Sequence, residues 1–204
     1  MNKAYIIGAS GHGNVIAAIL HQQYDDIIFV DASPKNEKTI AQDYFFDHIQ
    51  QYSTSDIYLG IGNNGHRIAL YNTLKSLGIT PSNCIASHTF IAHDAVIGNG
   101  VVICPGAIIG SKAIVGDNTI VNTLSSIDHD CILGNHSQVA PGVNFGGNTK
   151  VGENCFIGIK SATIPNINIG NNAIVMAGST VCNHVDANTL VGGTPAKFIK
   201  VIIP

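Results

Sequence analysis

From Ile85 to Val181 every sixth residue is large and apolar, broken only at Thr163, where Ile164 stands beside the gap. The frame runs Ile85, Ile91, Ile97, Ile103, Ile109, Val115, Val121, Ile127, Leu133, Val139, Phe145, Val151, Ile157, Thr163, Ile169, Val175, Val181. Glycine often follows directly, as at Gly98, Gly110, Gly134 and Gly152, and a small residue such as Ala95, Ala107, Ser125, Cys131 or Cys155 stands four positions after the apolar one. A six-residue period held for about a hundred residues fits neither a helical nor a plain strand repeat. It predicts short strands joined by tight turns, coiled as a triangular parallel β-helix. One aliphatic side chain points inward per side, the small residue fills the corner, and glycine takes a turn conformation that a Cβ disfavours. Three hexads per coil give about five to six coils.

The first eighty residues follow another pattern. Ala4–Ile7 reads as a buried strand, followed by the glycine loop Gly8-Ala-Ser-Gly-His-Gly13 and an apolar helix from about Asn14 to Gln22. Ile27–Val30, ending in Asp31, is a second strand. Asp56–Ile61 is another, followed by Gly62-Asn-Asn-Gly-His-Arg67 and a helix to Leu77. Two glycine loops at the carboxyl ends of parallel strands make a nucleotide-sized cleft, because helix N-termini favour phosphate. The spacing G-x-x-G-x-G is not the dinucleotide fingerprint, and the segment is only half a dinucleotide domain. Pro81 and Ser82 form the hinge, which divides the chain into residues 1–82, an α/β half-Rossmann domain, and 83–204, the β-helix with its tail. Ser33–Tyr52 is polar and irregular and takes no role from sequence alone.

Composition narrows the function classes. Hydrophobic residues make up 45% and charged residues 11%, so the chain packs a core. The net charge of −3 argues against nucleic acid or an anionic membrane as partner. No apolar run is long enough to span a bilayer. The five cysteines are too far apart for a CxxC metal or redox motif, and their odd number, with no signal peptide, points to a reducing cytoplasm. No metal site is expected. Arg67 is the one arginine, and its place after a glycine loop suits a phosphate contact. Of the nine histidines, His129 stands out, because it lies mid-repeat between Asp128 and Asp130, carboxylates able to fix its tautomer and raise its basicity.

The six-residue frame resembles that of the hexapeptide-repeat acyltransferases over roughly residues 85–200. With the half-Rossmann segment in front, the whole chain resembles the PglD/NeuD-type sugar acetyltransferases. The resemblance is closest to the bacillosamine type, the UDP-4-amino-sugar N-acetyltransferases, through five motifs. These are Gly8-Ala-Ser-Gly-His-Gly13, Ile61-Gly-Asn-Asn64 with Arg67, Asn122-Thr123 before Ser125-Ser-Ile-Asp-His129, Cys155-Phe-Ile-Gly-Ile159, and Val191-Gly-Gly-Thr-Pro-Ala-Lys197.

That resemblance implies a left-handed β-helix, a homotrimer with active sites shared between subunits, acetyl-CoA as cosubstrate, and a nucleotide-sugar acceptor. It implies His129 as general base, Asp130 as the group that orients it, and Ser10, Gly11, His12, Asp31, Gly62, Asn63 and Arg67 around the nucleotide sugar. Gln138, Gly147, Ile159, Ala177 and Lys197 correspond to the acetyl-CoA groove, with the Gly147 N–H as oxyanion donor. Such transfer needs a base, an oxyanion donor and aligned substrates, with no covalent intermediate. Gln138 departs from the pattern, since relatives carry a second histidine there. O-acetylation of sialic acid or another sugar uses the same base, and a non-catalytic nucleotide-binding scaffold is the remaining alternative.

Overall fold

The structure, a computed structural model, describes residues 2–34, 36 and 38–202. Two compact units divide the chain, Met1–Cys84 and Ile85–Pro204.

In the first unit, four parallel strands stand in the order β3-β2-β1-β4, namely β1 (Lys3–Ile7), β2 (Asp26–Asp31), β3 (Thr39–Ala41) and β4 (Asp56–Leu59). The central β1 is buried from Ala4 to Ile7, as a parallel strand covered on both faces must be. Helix α1 (Gly11–Leu20) starts earlier than the sequence suggests. Ser10 is its extended N-cap, and Gly11 and Gly13 lie within its first turn. Those glycines do not break the helix, because Gly13 is needed for close packing: a Cβ there would overlap the Gly8 carbonyl oxygen. Gly60, after β4, completes the contact, since a Cβ on it would lie 2.7 Å from the Gly13 Cα.

Helix α2 (Gln42–Asp47) and a 3-10 turn (Ile49–Tyr52) occupy the stretch that sequence left unassigned, apart from Lys35 and Glu37, which lie outside the described residues. Phe45 is fully buried there, stacked on Tyr52 with ring centroids 4.5 Å apart. Helix α3 (Asn64–Ser76) follows β4 and is capped by the Asn63 side chain, which accepts the His66 N–H at 3.0 Å.

The second unit is a three-faced solenoid of two-residue parallel strands, of roughly six turns. Its first face begins Cys84–Ile85, Val102–Ile103, Ile120–Val121 and continues through Gln138–Val139 and Phe156–Ile157. The second face includes Ile108–Ile109, Ser126–Ile127 and Asn144–Phe145, and the third includes Ile114–Val115, Ile132–Leu133 and Lys150–Val151. Through the regular coils each strand pairs with the one 18 residues away, as Ile114 does with Ile132, and in the last coil the spacing falls to 16, as for Ile174 with Leu190. The hexad aliphatics form one core in which Ile103, Ile109, Val121, Ile127, Leu133 and Val139 are wholly buried. Cys131 and Cys155 are buried corner fillers of that core, each donating its thiol to a backbone carbonyl, Cys131 to Gly146 at 3.4 Å and Cys155 to Gly170 at 3.1 Å.

One expectation is corrected. The glycine after each aliphatic does not adopt the left-handed turn conformation. That conformation falls two residues later, at Lys112, Asn118, Leu124, Asp130, His136 and Asn148 (φ 55 to 63), and at Gly106 and Gly142. The glycine is required for another reason: a Cβ on Gly134 would stand 2.6 Å from the Gly152 carbonyl oxygen in the next coil.

Along the edge between the third and first faces, side chains replace missing backbone partners. The Asp117 N–H donates to Asn135 Oδ1 and the Glu153 N–H to Asn171 Oδ1, while Asn154 and Asn172 each donate to the asparagine one coil on. The first two bonds satisfy turn N–H groups that the coil register leaves open, and the asparagine pairs tie coil to coil through side chains. Leu133→Ala is expected to cost about 2–5 kcal/mol, read from urea unfolding. Gly134→Ala should also destabilise, although it adds a methyl group to an apolar fold, because two backbones meet there.

Candidate active site

The solenoid edge between the second and third faces carries His129. Asp130 follows it in the left-handed turn position (φ 58), and its N–H is fixed to the Ser111 carbonyl of the preceding coil at 2.9 Å. This folds the carboxylate back onto the preceding ring, with His129 Nδ1 and Asp130 Oδ2 2.8 Å apart. Against a carboxylate, Nδ1 carries the proton, so Nε2 keeps its lone pair. Asp128 Oδ1 accepts the His129 N–H at 2.7 Å. The Asp130 hydrogen bond, followed by the Asp128 charge, raises the His129 pKa above its ordinary value. The imidazole is well exposed, with 61% of its side chain open to solvent. It lies over Gly147, one coil on: a Cβ at that position would overlap the imidazole at Nε2 and Cε1. The Gly147 N–H has no acceptor among the described residues.

Of the expected acetyl-CoA residues, the solenoid brings only Gly147 to His129. Gln138 lies on the first face, opposite this edge of a triangular section, and its Oε1 is buried without a partner. Ile159 and Ala177 stack one above the other on the edge between the first and second faces, where their N–H groups also lack acceptors among the described residues. Lys197 is exposed on the closing hairpin (Thr189–Gly193 with Ala196–Val201), beside a cavity of about 300 Å³.

In the first unit, the expected acceptor residues gather at the carboxyl ends of β1, β2 and β4. Several of them hold the loops in place. Asp31 accepts the Ala9 N–H at 2.8 Å and the Ser33 N–H at 2.9 Å. Ser10 Oγ donates to the Gly60 carbonyl at 3.3 Å, and Asn63 caps α3. Arg67 is only 1% exposed. Its guanidinium donates to the Ile61 carbonyl at 3.2 Å, the Gly62 carbonyl at 3.4 Å and Asn64 Oδ1 at 3.0 Å. Burial lowers its pKa to about 10. It therefore shapes the second glycine loop from behind, in place of the open phosphate contact that sequence suggested.

His12 lies between the two loops, its Nε2 buried without a partner. Burial, then the Arg67 charge, lowers its pKa to about 4, so it is neutral near pH 7. Gly11 and Gly62 add no side chain there: a Cβ on Gly11 would meet nothing within 4 Å, and one on Gly62 only the His12 Cβ, at 4.0 Å.

A signal the motifs did not single out is His93-Asp94, 36 residues before His129-Asp130 and on the same edge. It is not wired in the same way. Asp94 Oδ2 accepts from Ser111 Oγ at 2.8 Å and Oδ1 from the Lys112 N–H at 3.3 Å. Among the described residues no group of three or more histidine, cysteine or acidic side chains could hold a metal ion. None of their helices is long and apolar enough to cross a membrane.

Residues 3–74 match the family described as the PglD N-terminal domain, so the first unit is a domain of that kind. In domain content and fold the chain is similar to the PglD-type sugar acetyltransferases, which are acyltransferases. Its solenoid is the left-handed β-helix of that class.

Among solved structures, the acetyltransferase domain of PglB from Neisseria gonorrhoeae FA1090, in complex with acetyl coenzyme A, is 28% identical with a TM-score of 0.91, covering 98% of this chain and 100% of that one. PerB from Caulobacter crescentus, in complex with CoA and GDP-perosamine, is 28% identical with a TM-score of 0.92, covering 98% of each chain. WeeI from Acinetobacter baumannii AYE is 25% identical with a TM-score of 0.88, covering 98% of this chain and 100% of that one. No curated protein matches the chain by sequence.

Two titrations test the electrostatics. Asp130→Asn should return the His129 pKa downward toward the ordinary imidazole value, followed by NMR of its ring protons. His12 is neutral in the fold and binds a proton more readily once unfolded. Its contribution to stability is therefore complete above the unfolded pKa of 6.5 and is lost as pH falls toward about 4. Urea unfolding should show that acid-side loss, on the order of 3 kcal/mol, and His12→Gln should flatten it.

Proposed function

We propose that this protein is an acetyl-CoA-dependent N-acetyltransferase acting on the amino group of a nucleotide-linked 4-amino sugar, with UDP as the nucleotide, in the synthesis of surface glycan precursors in the cytoplasm. The observation that carries the reading is the His129–Asp130 pair lying over Gly147, whose N–H is left without an acceptor. Residues 1–82 hold the nucleotide sugar and 83–204 carry the transfer.

Acetyl-CoA supplies the acetyl group as its thioester. His129 Nε2 takes the proton from the attacking amine while Asp130, through Nδ1, keeps the ring in that tautomer and stabilises its protonated form. The Gly147 N–H donates to the carbonyl oxygen as negative charge develops there, and collapse of the tetrahedral intermediate breaks the C–S bond and releases the CoA thiolate, which takes up the proton held by His129. The open N–H groups of Ile159 and Ala177 suit the amide carbonyls of a pantetheine arm, and Lys197 suits its phosphates. Within one prism these groups stand on a different edge from His129, and Gln138 stands on the opposite face. The assembly that unites them is a homotrimer in which one copy presents His129 and the next presents Gln138, Ile159 and Ala177. In the first unit, Ser10, Gly11, His12, Asp31, Gly62, Asn63 and Arg67 form and brace the nucleotide-sugar mouth.

The test is direct. Incubation with acetyl-CoA and UDP-, GDP- and dTDP-linked 4-amino sugars, read by mass spectrometry, should show N-acetylation, fastest on the UDP sugar. Acetylation of a sugar hydroxyl, such as that of sialic acid, with none on an amine would replace this reading with an O-acetyltransferase.

His129→Ala should lower kcat/KM by about 10²–10⁴-fold while CoA still binds in a calorimeter, and Asp130→Ala should cost less. Retained turnover in His129→Ala would displace the base.

A further inference from the structure

Two His-Asp pairs stand on one edge of the solenoid, and only one is wired as a dyad. His93 and His129 are 36 residues apart, two coils, and occupy the same place in the hexad. The residue one coil beyond each histidine differs. Beyond His129 it is Gly147, and beyond His93 it is Ser111. The imidazole of His129 lies where a Cβ of residue 147 would stand. The backbones of the two corners differ as well: Asp130 is in the left-handed region (φ 58), whereas Asp94 is not. Ser111 brings a hydroxyl, and Asp94 Oδ2 accepts it at 2.8 Å. Asp130 meets no such donor and binds His129 Nδ1 at 2.8 Å.

We propose that Gly147 is a positioning residue that selects His129 over His93 as the base, through the side chain it lacks. Without that side chain the imidazole lies back along the edge, and without a hydroxyl at 147 the Asp130 carboxylate stays on Nδ1. This is separate from the N–H that Gly147 offers to the substrate carbonyl, since every residue but proline keeps its N–H there. The catalytic consequence rests on the acetyltransferase reading above, but the arrangement of the two histidines does not.

Gly147→Ser copies into the upper coil the residue that this solenoid already accommodates at position 111, so the fold should tolerate it. The variant should lose kcat by about 10²-fold or more while retaining CoA binding. Its His129 should also lose the hydrogen-bonded Nδ1 proton in nitrogen-15 NMR of the imidazoles. The reciprocal change, Ser111→Gly, frees Asp94 and should give His93 an Nδ1 proton bonded to that carboxylate. If Gly147→Ser left the His129 Nδ1 signal in place, or Ser111→Gly left His93 without one, the proposal would be overturned. These NMR arms need no turnover. Wild-type protein inactive on every amino sugar would defeat the functional reading alone, whereas an active wild type with unmoved imidazole signals in both variants would defeat this inference alone.

Discussion

The structure depends on one constraint: successive coils of the solenoid must stack in strand register, with strand residues pairing 18 positions apart until the last coil. Backbone hydrogen bonds then run from coil to coil, with strands as close as parallel strands allow, about 4.7–4.9 Å apart. At that spacing the residue after each inward aliphatic faces the backbone of the next coil, and only glycine fits where the approach is tightest, as at Gly134 against Gly152. Two residues later the chain must enter the left-handed region, and asparagine, aspartate and glycine recur there because they enter it at least cost. The inward aliphatics stabilise the prism by burial. The register decides which edge each polar residue can reach.

Because the three edges meet the same backbone demand, their differences show what each is for. The edge between the third and first faces is tied by Asp117, Asn135, Glu153 and Asn171 in series. The edge between the first and second faces is trimmed by Pro105-Gly106 and Pro141-Gly142, with the open N–H groups of Ile159 and Ala177 further along. The remaining edge carries His129 and Asp130. Asp130 serves two ends at once, since the left-handed turn it takes at this corner also folds its carboxylate onto His129.

The solenoid was legible in the sequence because its period is its architecture: one inward aliphatic in six is visible without coordinates. His129 was legible as an anomaly within that period. The place of the turn was misread, since glycine marks both left-handed turns and tight backbone contacts, and sequence does not separate the two uses. In the first unit the strands were legible from apolar runs, while the start of α1 was hidden because Gly11 and Gly13 look like loop residues. Arg67 was misjudged as open to ligand for a similar reason. A solitary arginine after a glycine loop reads as a phosphate contact, but its fate depends on whether the loop carbonyls turn toward it, and those of Ile61 and Gly62 do.

The same reasoning bears on how a periodic fold makes one active site among many equivalent positions. Six-residue repetition offers the same corner to every coil, and here it twice offers histidine followed by aspartate. Two differences break the equivalence: Asp130 takes the left-handed turn and Asp94 does not, and one coil further on Ser111 engages the Asp94 carboxylate whereas Gly147 has no side chain to engage Asp130. In a coil of fixed spacing a side chain is positioned as much by the residue 18 places along the chain as by its immediate neighbours. A histidine motif read along the sequence alone therefore does not identify the base. The motif has to be read across coils, where glycine leaves room for the imidazole and leaves the carboxylate to it.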